Sequence, residues 1–121
     1  MRFLPTRIHG IIDYLWGVAL LAMPFLLGLP SGGAAGWIAL AFGAGAILYS
    51  LLTAYELGLL PVIPMPVHLG LDAVAGLVLA LQPVVFTLDR SAGATFVAFG
   101  LFAVVASFLT RTHPADMHLR A

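Results

Sequence analysis

Four ionisable residues recur at matched positions in an otherwise apolar chain: His9 and Asp13, then His68 and Asp72. In each pair the aspartate follows the histidine by four residues, so on a helix of 3.6 residues per turn the two side chains share a face. Imidazole and carboxylate together suit zinc, iron or manganese, and a carboxylate beside a ligand histidine can also serve to orient its ring. The same groups could hold a proton or a small polar ligand. Glu56 and His113 close the second apolar segment of each half and are candidates for the same cluster. No H-E-x-x-H motif occurs, and the spacing H-x3-D is ordinary on helices, so its weight comes from being present twice. The competing reading is a clamp, in which Asp13 sits near a positive helix N-terminus, accepts a hydrogen bond from His9, and locks helices together. A third reading takes the two histidines as axial ligands of a haem, or as ligands of a redox metal. Cysteine and lysine are absent and no nucleophile has a base beside it, so hydrolytic chemistry would have to be metal-assisted.

The duplication extends beyond these four residues. Pro5, His9, Asp13, Gly17, Leu20, Pro24 and Leu29 match Pro64, His68, Asp72, Gly76, Leu79, Pro83 and Leu88, each pair 59 positions apart. The segments "SLLTAYE" at 50–56 and "SFLTRTH" at 107–113 echo each other at an offset of 57. The chain therefore reads as a tandem duplication of a two-helix unit, with repeat 1 at about 5–56 and repeat 2 at about 64–113. Because each unit crosses twice, both copies enter a membrane in the same direction, which predicts a pseudo-twofold axis along the membrane normal. His9 and Asp13 should then face His68 and Asp72 across that axis.

Composition fixes the surroundings. Of the 121 residues 62% are hydrophobic and 8% charged, too little charge to solvate a surface, so the single domain, 1–121, belongs in a bilayer. From Tyr14 to Tyr55 there is no Asp, Glu, Lys, Arg or His. Four apolar segments emerge, about Thr6–Leu29, Ala34–Tyr55, Val67–Leu88 and Ala92–Thr110, each near the roughly 20 residues needed to span the hydrocarbon core. The expectation is an all-α membrane protein of four transmembrane helices arranged as two hairpins. The first apolar run is too long for a secretory signal and lacks a cleavage pattern, so it is expected to be retained. Arg2, Arg7, Arg111 and Arg120 fall on the side of the termini and Arg90 opposite, which places both termini in the cytoplasm by the positive-inside rule. Net charge is zero and no basic run occurs, which excludes a nucleic-acid partner. Four short helices bury little protein surface, so a homo-oligomer or a subunit of a membrane complex is expected.

The elements that must position the cluster are legible too. Positions 9, 13, 17, 20 and 24 form one stripe on a helix. Gly17 and Gly76 would let another backbone approach closely, and Pro24 and Pro83 would kink the outer half of their helices. Asp13 would lie about 10 Å along the first helix, at the inner edge of the hydrocarbon. The small-residue run "GWIALAFGAGAIL" could line a pore, although close helix packing is the commoner use of such residues.

The pattern D-x3-G-x2-L-x3-P-x4-L, at 13–29 and again at 72–88, resembles the SPW-repeat family of small bacterial membrane proteins. That family carries a Ser-Pro-Trp motif in the first of two membrane helices of each repeat; the corresponding triplets here are Met23-Pro24-Phe25 and Gln82-Pro83-Val84. The resemblance implies a bacterial inner-membrane protein and a two-helix repeat, and brings no activity with it.

Overall fold

A computed structural model describes residues 2–30 and 32–113; Arg120, one of the expected topology anchors, lies outside the described residues. The described residues form five helices: α1 (Thr6–Leu26), α2 (Ala34–Leu51), α3 (Met65–Ala80), α4 (Gln82–Val85) and α5 (Arg90–Leu109). With α3 and α4 taken as one span, four helical segments among the described residues are long and apolar enough to cross a membrane. Large apolar side chains such as Leu15, Val18, Phe25, Leu48, Val74 and Phe108 are exposed on their outer faces. A bilayer supplies the solvent such a surface needs.

Local chemistry explains most of the boundaries. Pro5 and Pro64 stand in extended conformation just before α1 and α3, where a missing N–H costs nothing. The first hairpin closes on a Schellman motif: Leu29 N–H donates to the Pro24 carbonyl at 2.9 Å around Gly28, whose φ of 63° is left-handed. Asp89 caps α5 through its carboxylate, which accepts from the Ala92 N–H at 2.7 Å. The two prolines behave differently. Pro24 is tolerated inside α1, which runs on to Leu26, whereas ahead of Pro83 the helix stops at Ala80 and restarts as α4, with Val84 and Val85 N–H groups both turning to the Leu81 carbonyl.

Packing is chiefly of α1 on α2 and of α3 on α5. Glycines set both crossings. A Cβ on Gly17 would stand 3.1 Å from the Gly43 carbonyl oxygen, and one on Gly43 2.7 Å from that of Gly17. Gly76 meets Gly100 in the same way. Such contacts bring backbones close where lipid offers no hydrophobic drive for association. The buried face of α2 is Gly36, Ala39, Gly43, Ala46 and Ser50, so its small residues are used for packing and not for lining a pore. Leu20, Met23, Ala39, Leu79 and Phe96 form the larger apolar core.

Two short backbone bridges tie the opposite ends together. Leu4 pairs with Thr110, with Leu4 N–H donating to Leu109 and Arg111 N–H to Leu4, each at 2.9 Å. Ile63 pairs with Thr53, with Ile63 N–H donating to Leu52 at 2.7 Å and Ala54 N–H to Ile63 at 2.8 Å. This pairing ends α2 at Leu51, four residues before the Tyr55 expected from composition, because the chain at 52–54 leaves the helix to bond Val62 and Ile63.

Candidate functional site

The bridges place a threonine beside each histidine. Thr110 follows α5 and is held by Leu4, five positions before His9; Thr53 follows α2 and is held by Ile63, five positions before His68. His9 Nδ1 lies 2.7 Å from Thr110 Oγ1, and His68 Nδ1 lies 2.8 Å from Thr53 Oγ1. Each hydroxyl spends its only proton elsewhere, Thr110 on the Ala106 carbonyl and Thr53 on the Tyr49 carbonyl, both at 2.6 Å. Each threonine oxygen can therefore only accept from its histidine, so both imidazoles carry a proton on Nδ1. The Nε2 atoms are turned to the carboxylates.

There the four residues meet. His9 Nε2 is 2.7 Å from Asp72 and 3.0 Å from Asp13; His68 Nε2 is 2.8 Å from Asp13 and 3.2 Å from Asp72. In both cases the nearer aspartate comes from the other helix, α3 for His9 and α1 for His68. All four side chains are buried, and one ligating atom from each lies within 4.8 Å of the others. The imidazole rings stand edge to face with centroids 5.5 Å apart.

Two tyrosines complete the carboxylates. Tyr49 donates to Asp72 Oδ1 and Tyr55 to Asp13 Oδ2, the latter at 3.2 Å. Burial first, and then the Asp13 carboxylate, pushes the Tyr55 phenol above its ordinary value, so it keeps its proton and stays a donor. Both rings also pack on His68, with centroids 4.9 Å and 5.4 Å away.

The other sequence candidates are placed apart. Glu56 accepts from the Thr6 hydroxyl at 2.6 Å, and His113 is exposed with its ring beside Thr112. The four-residue group does not include either. Arg2 closes the end of α5, donating to the Ser107 and Thr110 carbonyls at 2.7 and 2.8 Å, while Arg7 and Arg111 are exposed. Sequence reasoning missed Thr53, Thr110, Tyr49 and Tyr55. The threonines were visible as the fourth residue of "SLLTAYE" and "SFLTRTH", the one polar match shared by both after the serine.

Size and charge restrict what this arrangement can do. A void lined by His9, Asp13 and Asp72 with Ala106 touches the cluster and measures about 10 Å³. That is room for roughly one water or one ion. A small organic ligand does not fit, and a haem does not fit either, because both Nε2 atoms converge on the same Asp72 oxygen where a porphyrin plate would have to pass. Two carboxylates facing two neutral imidazole lone pairs would bury two negative charges, at a cost of several kcal/mol per ion. Two protons or one divalent ion at the Nε2 atoms would cancel them. No family model, curated protein or solved structure matches this chain.

Proposed function

We propose that this chain is a small integral membrane protein that binds a cation, a metal ion or protons, in a His9, Asp13, His68 and Asp72 cluster shared by two halves. One observation carries the reading. Four ligating atoms drawn from both halves converge within 4.8 Å in a buried site whose carboxylates require positive charge between them. Matched contacts favour the duplicated hairpin and its axis: Thr53 and Thr110 stand 57 positions apart, as do Gly43 and Gly100, and each pair plays the same part. In this reading the axis runs along the membrane normal between α1 and α3, and the cluster lies at the cytoplasmic end where the arginine bias puts both termini. The likeness to the SPW-repeat family adds a bacterial inner membrane. A homo-oligomer or a larger membrane complex would cover part of the exposed apolar surface.

A second reading is favoured by the closeness of the bonds. At 2.7–3.2 Å each imidazole already bridges both carboxylates, as a clamp between helices would require. The test is made on detergent-purified protein, by bound-metal analysis and by 15N resonances of the histidines across pH. Cation binding predicts bound metal, or Nε2 signals that change protonation together, with both lost in His9→Ala and in His68→Ala. Histidine signals indifferent to pH and metal, with both variants merely less stable, would leave the clamp alone.

A further inference from the structure

Among the positions at which the two halves differ, one borders the void beside the cluster. Shifted by 57, Tyr49 of α2 corresponds to Ala106 of α5. Tyr49 fills its side: its hydroxyl reaches Asp72, its ring covers His68, and the crevice between α2 and α3 that it lines with Phe42, Gly45, Leu71 and Ala75 stops short of all four cluster residues. Ala106 leaves its side open. There the void of about 10 Å³ borders His9, Asp13 and Asp72 directly, and shares Ile12, Trp16 and Phe102 with the apolar groove between α1 and α5.

We propose, building on the cation-site reading, that the cluster holds a divalent transition metal through His9 Nε2, His68 Nε2 and the Asp13 and Asp72 carboxylates, with one further coordination position open on the Ala106 side. The donors fit. Metal bonds of about 2.0–2.2 Å to nitrogen and oxygen put neighbouring ligands of a tetrahedral site about 3.3 Å apart. The four histidine-to-aspartate separations are 2.7–3.2 Å and need to spread by only a few tenths of an ångström, while the histidine–histidine and aspartate–aspartate separations, within 4.8 Å, have to close toward the same value. Thr53 and Thr110 hold the Nδ1–H form of each ring, which fixes Nε2 as the ligating atom, the outer-shell role that usually falls to a carboxylate or a backbone carbonyl. Two imidazoles and two carboxylates suit zinc, iron and manganese, and their charge is balanced by a single divalent ion. The void has room for one water on such an ion, which would be a fifth ligand beside the four protein donors and raise the coordination from four to five. On the opposite side the Tyr49 ring occupies the equivalent space.

Cobalt(II) reports both halves of this proposal. Detergent-solubilised full-length protein is titrated with Co2+ and its visible spectrum recorded, then azide is added as a small exogenous ligand. The expected result is one Co2+ per chain, a spectrum that azide changes, and Ala106→Leu protein that binds Co2+ but no longer responds to azide. Ala106→Val, a smaller filling, keeps the comparison available if the leucine disturbs folding, with circular dichroism verifying the helices of each. Co2+ binding with no azide response, or an equal response in the filled variants, overturns the open position and leaves the cation-site reading standing. Failure to bind either Co2+ or Zn2+, with histidine 15N signals that still titrate, overturns the metal and leaves protons as the cation. Failure of both would remove the cation-site reading as well.

Discussion

Replacing Thr110 by Val removes one hydroxyl while nearly keeping the side-chain shape, and tests what holds the histidines in place. The hydroxyl's own donation to the Ala106 carbonyl disappears together with its donor, so the group left stranded is the Nδ1–H of His9, now with no acceptor at 2.7 Å. A buried donor without a partner costs about 1–3 kcal/mol, while hydrogen bonds between membrane helices are worth about 0.6 kcal/mol on average and reach about 1.7. His9 is only 1% exposed, so water cannot replace the threonine without repacking. We therefore expect Thr110→Val to lose about 1–2 kcal/mol of unfolding free energy, measured by SDS titration in mixed micelles. Thr53→Val should lose a similar amount, since His68 makes the same contact at 2.8 Å and is fully buried. The two should not add, because both histidines share both carboxylates, and a coupling of about 0.5 kcal/mol or more is expected in the double variant. Losses below about 0.3 kcal/mol in both single variants, with the Nδ1 resonances unmoved, would refute the assignment of Nδ1–H to the threonines.

Further expectations concern other parts of the fold. Gly43→Ala and Gly100→Ala should each destabilise by about 1–3 kcal/mol, since the new methyl meets backbone across the crossing; Gly45→Ala, with open space around its Cβ position, should be neutral or gain up to about 1 kcal/mol. Glu56→Gln and His113→Ala should leave Co2+ affinity within a factor of about two of wild type, whereas Asp13→Asn and Asp72→Asn should weaken it by well over about tenfold, in the same titration. For Tyr55 the sign follows from a folded phenol held above its unfolded value of about 10. Its stabilisation is fully present below about pH 10 and is lost as pH rises beyond it, so the stability advantage of wild type over Tyr55→Phe should shrink between about pH 8 and about pH 11.

The helices and the four-residue cluster were readable because their signals are strong and local. Uninterrupted apolar runs mark spans, and H-x3-D at two positions 59 apart marks residues that would face one another if the halves are related. What was not readable depends on where the chain goes after a helix ends. Apolar composition continues through 52–55, so α2 looked four residues longer than it is; only the pairing of Thr53 with Ile63 stops it. That pairing, and its counterpart of Thr110 with Leu4, is also what sets a threonine against each histidine, a contact between residues 101 positions apart for His9 and 15 for His68. Glu56 and His113 were grouped with the cluster because they end helices on the same side, and proximity in depth does not say which way a side chain turns. By residue type a tyrosine near a helix end fits an interfacial belt, yet the Tyr49 ring turns inward onto His68. The difference between Tyr49 and Ala106 was present in the sequence all along, but it acquires meaning only once the void beside Ala106 is seen to border the carboxylates.

A single cation site built from four residues, two on α1 and two on α3, is open to one direct measurement. Equilibrium dialysis against Zn2+ of wild type, His9→Ala, His68→Ala and the double variant, with metal counted per chain, addresses it most directly. The account predicts one ion per wild-type chain and the same loss of affinity in each single variant, with little further loss in the double. Two independent ions per chain, or a variant of one half that keeps the wild-type affinity, would contradict it.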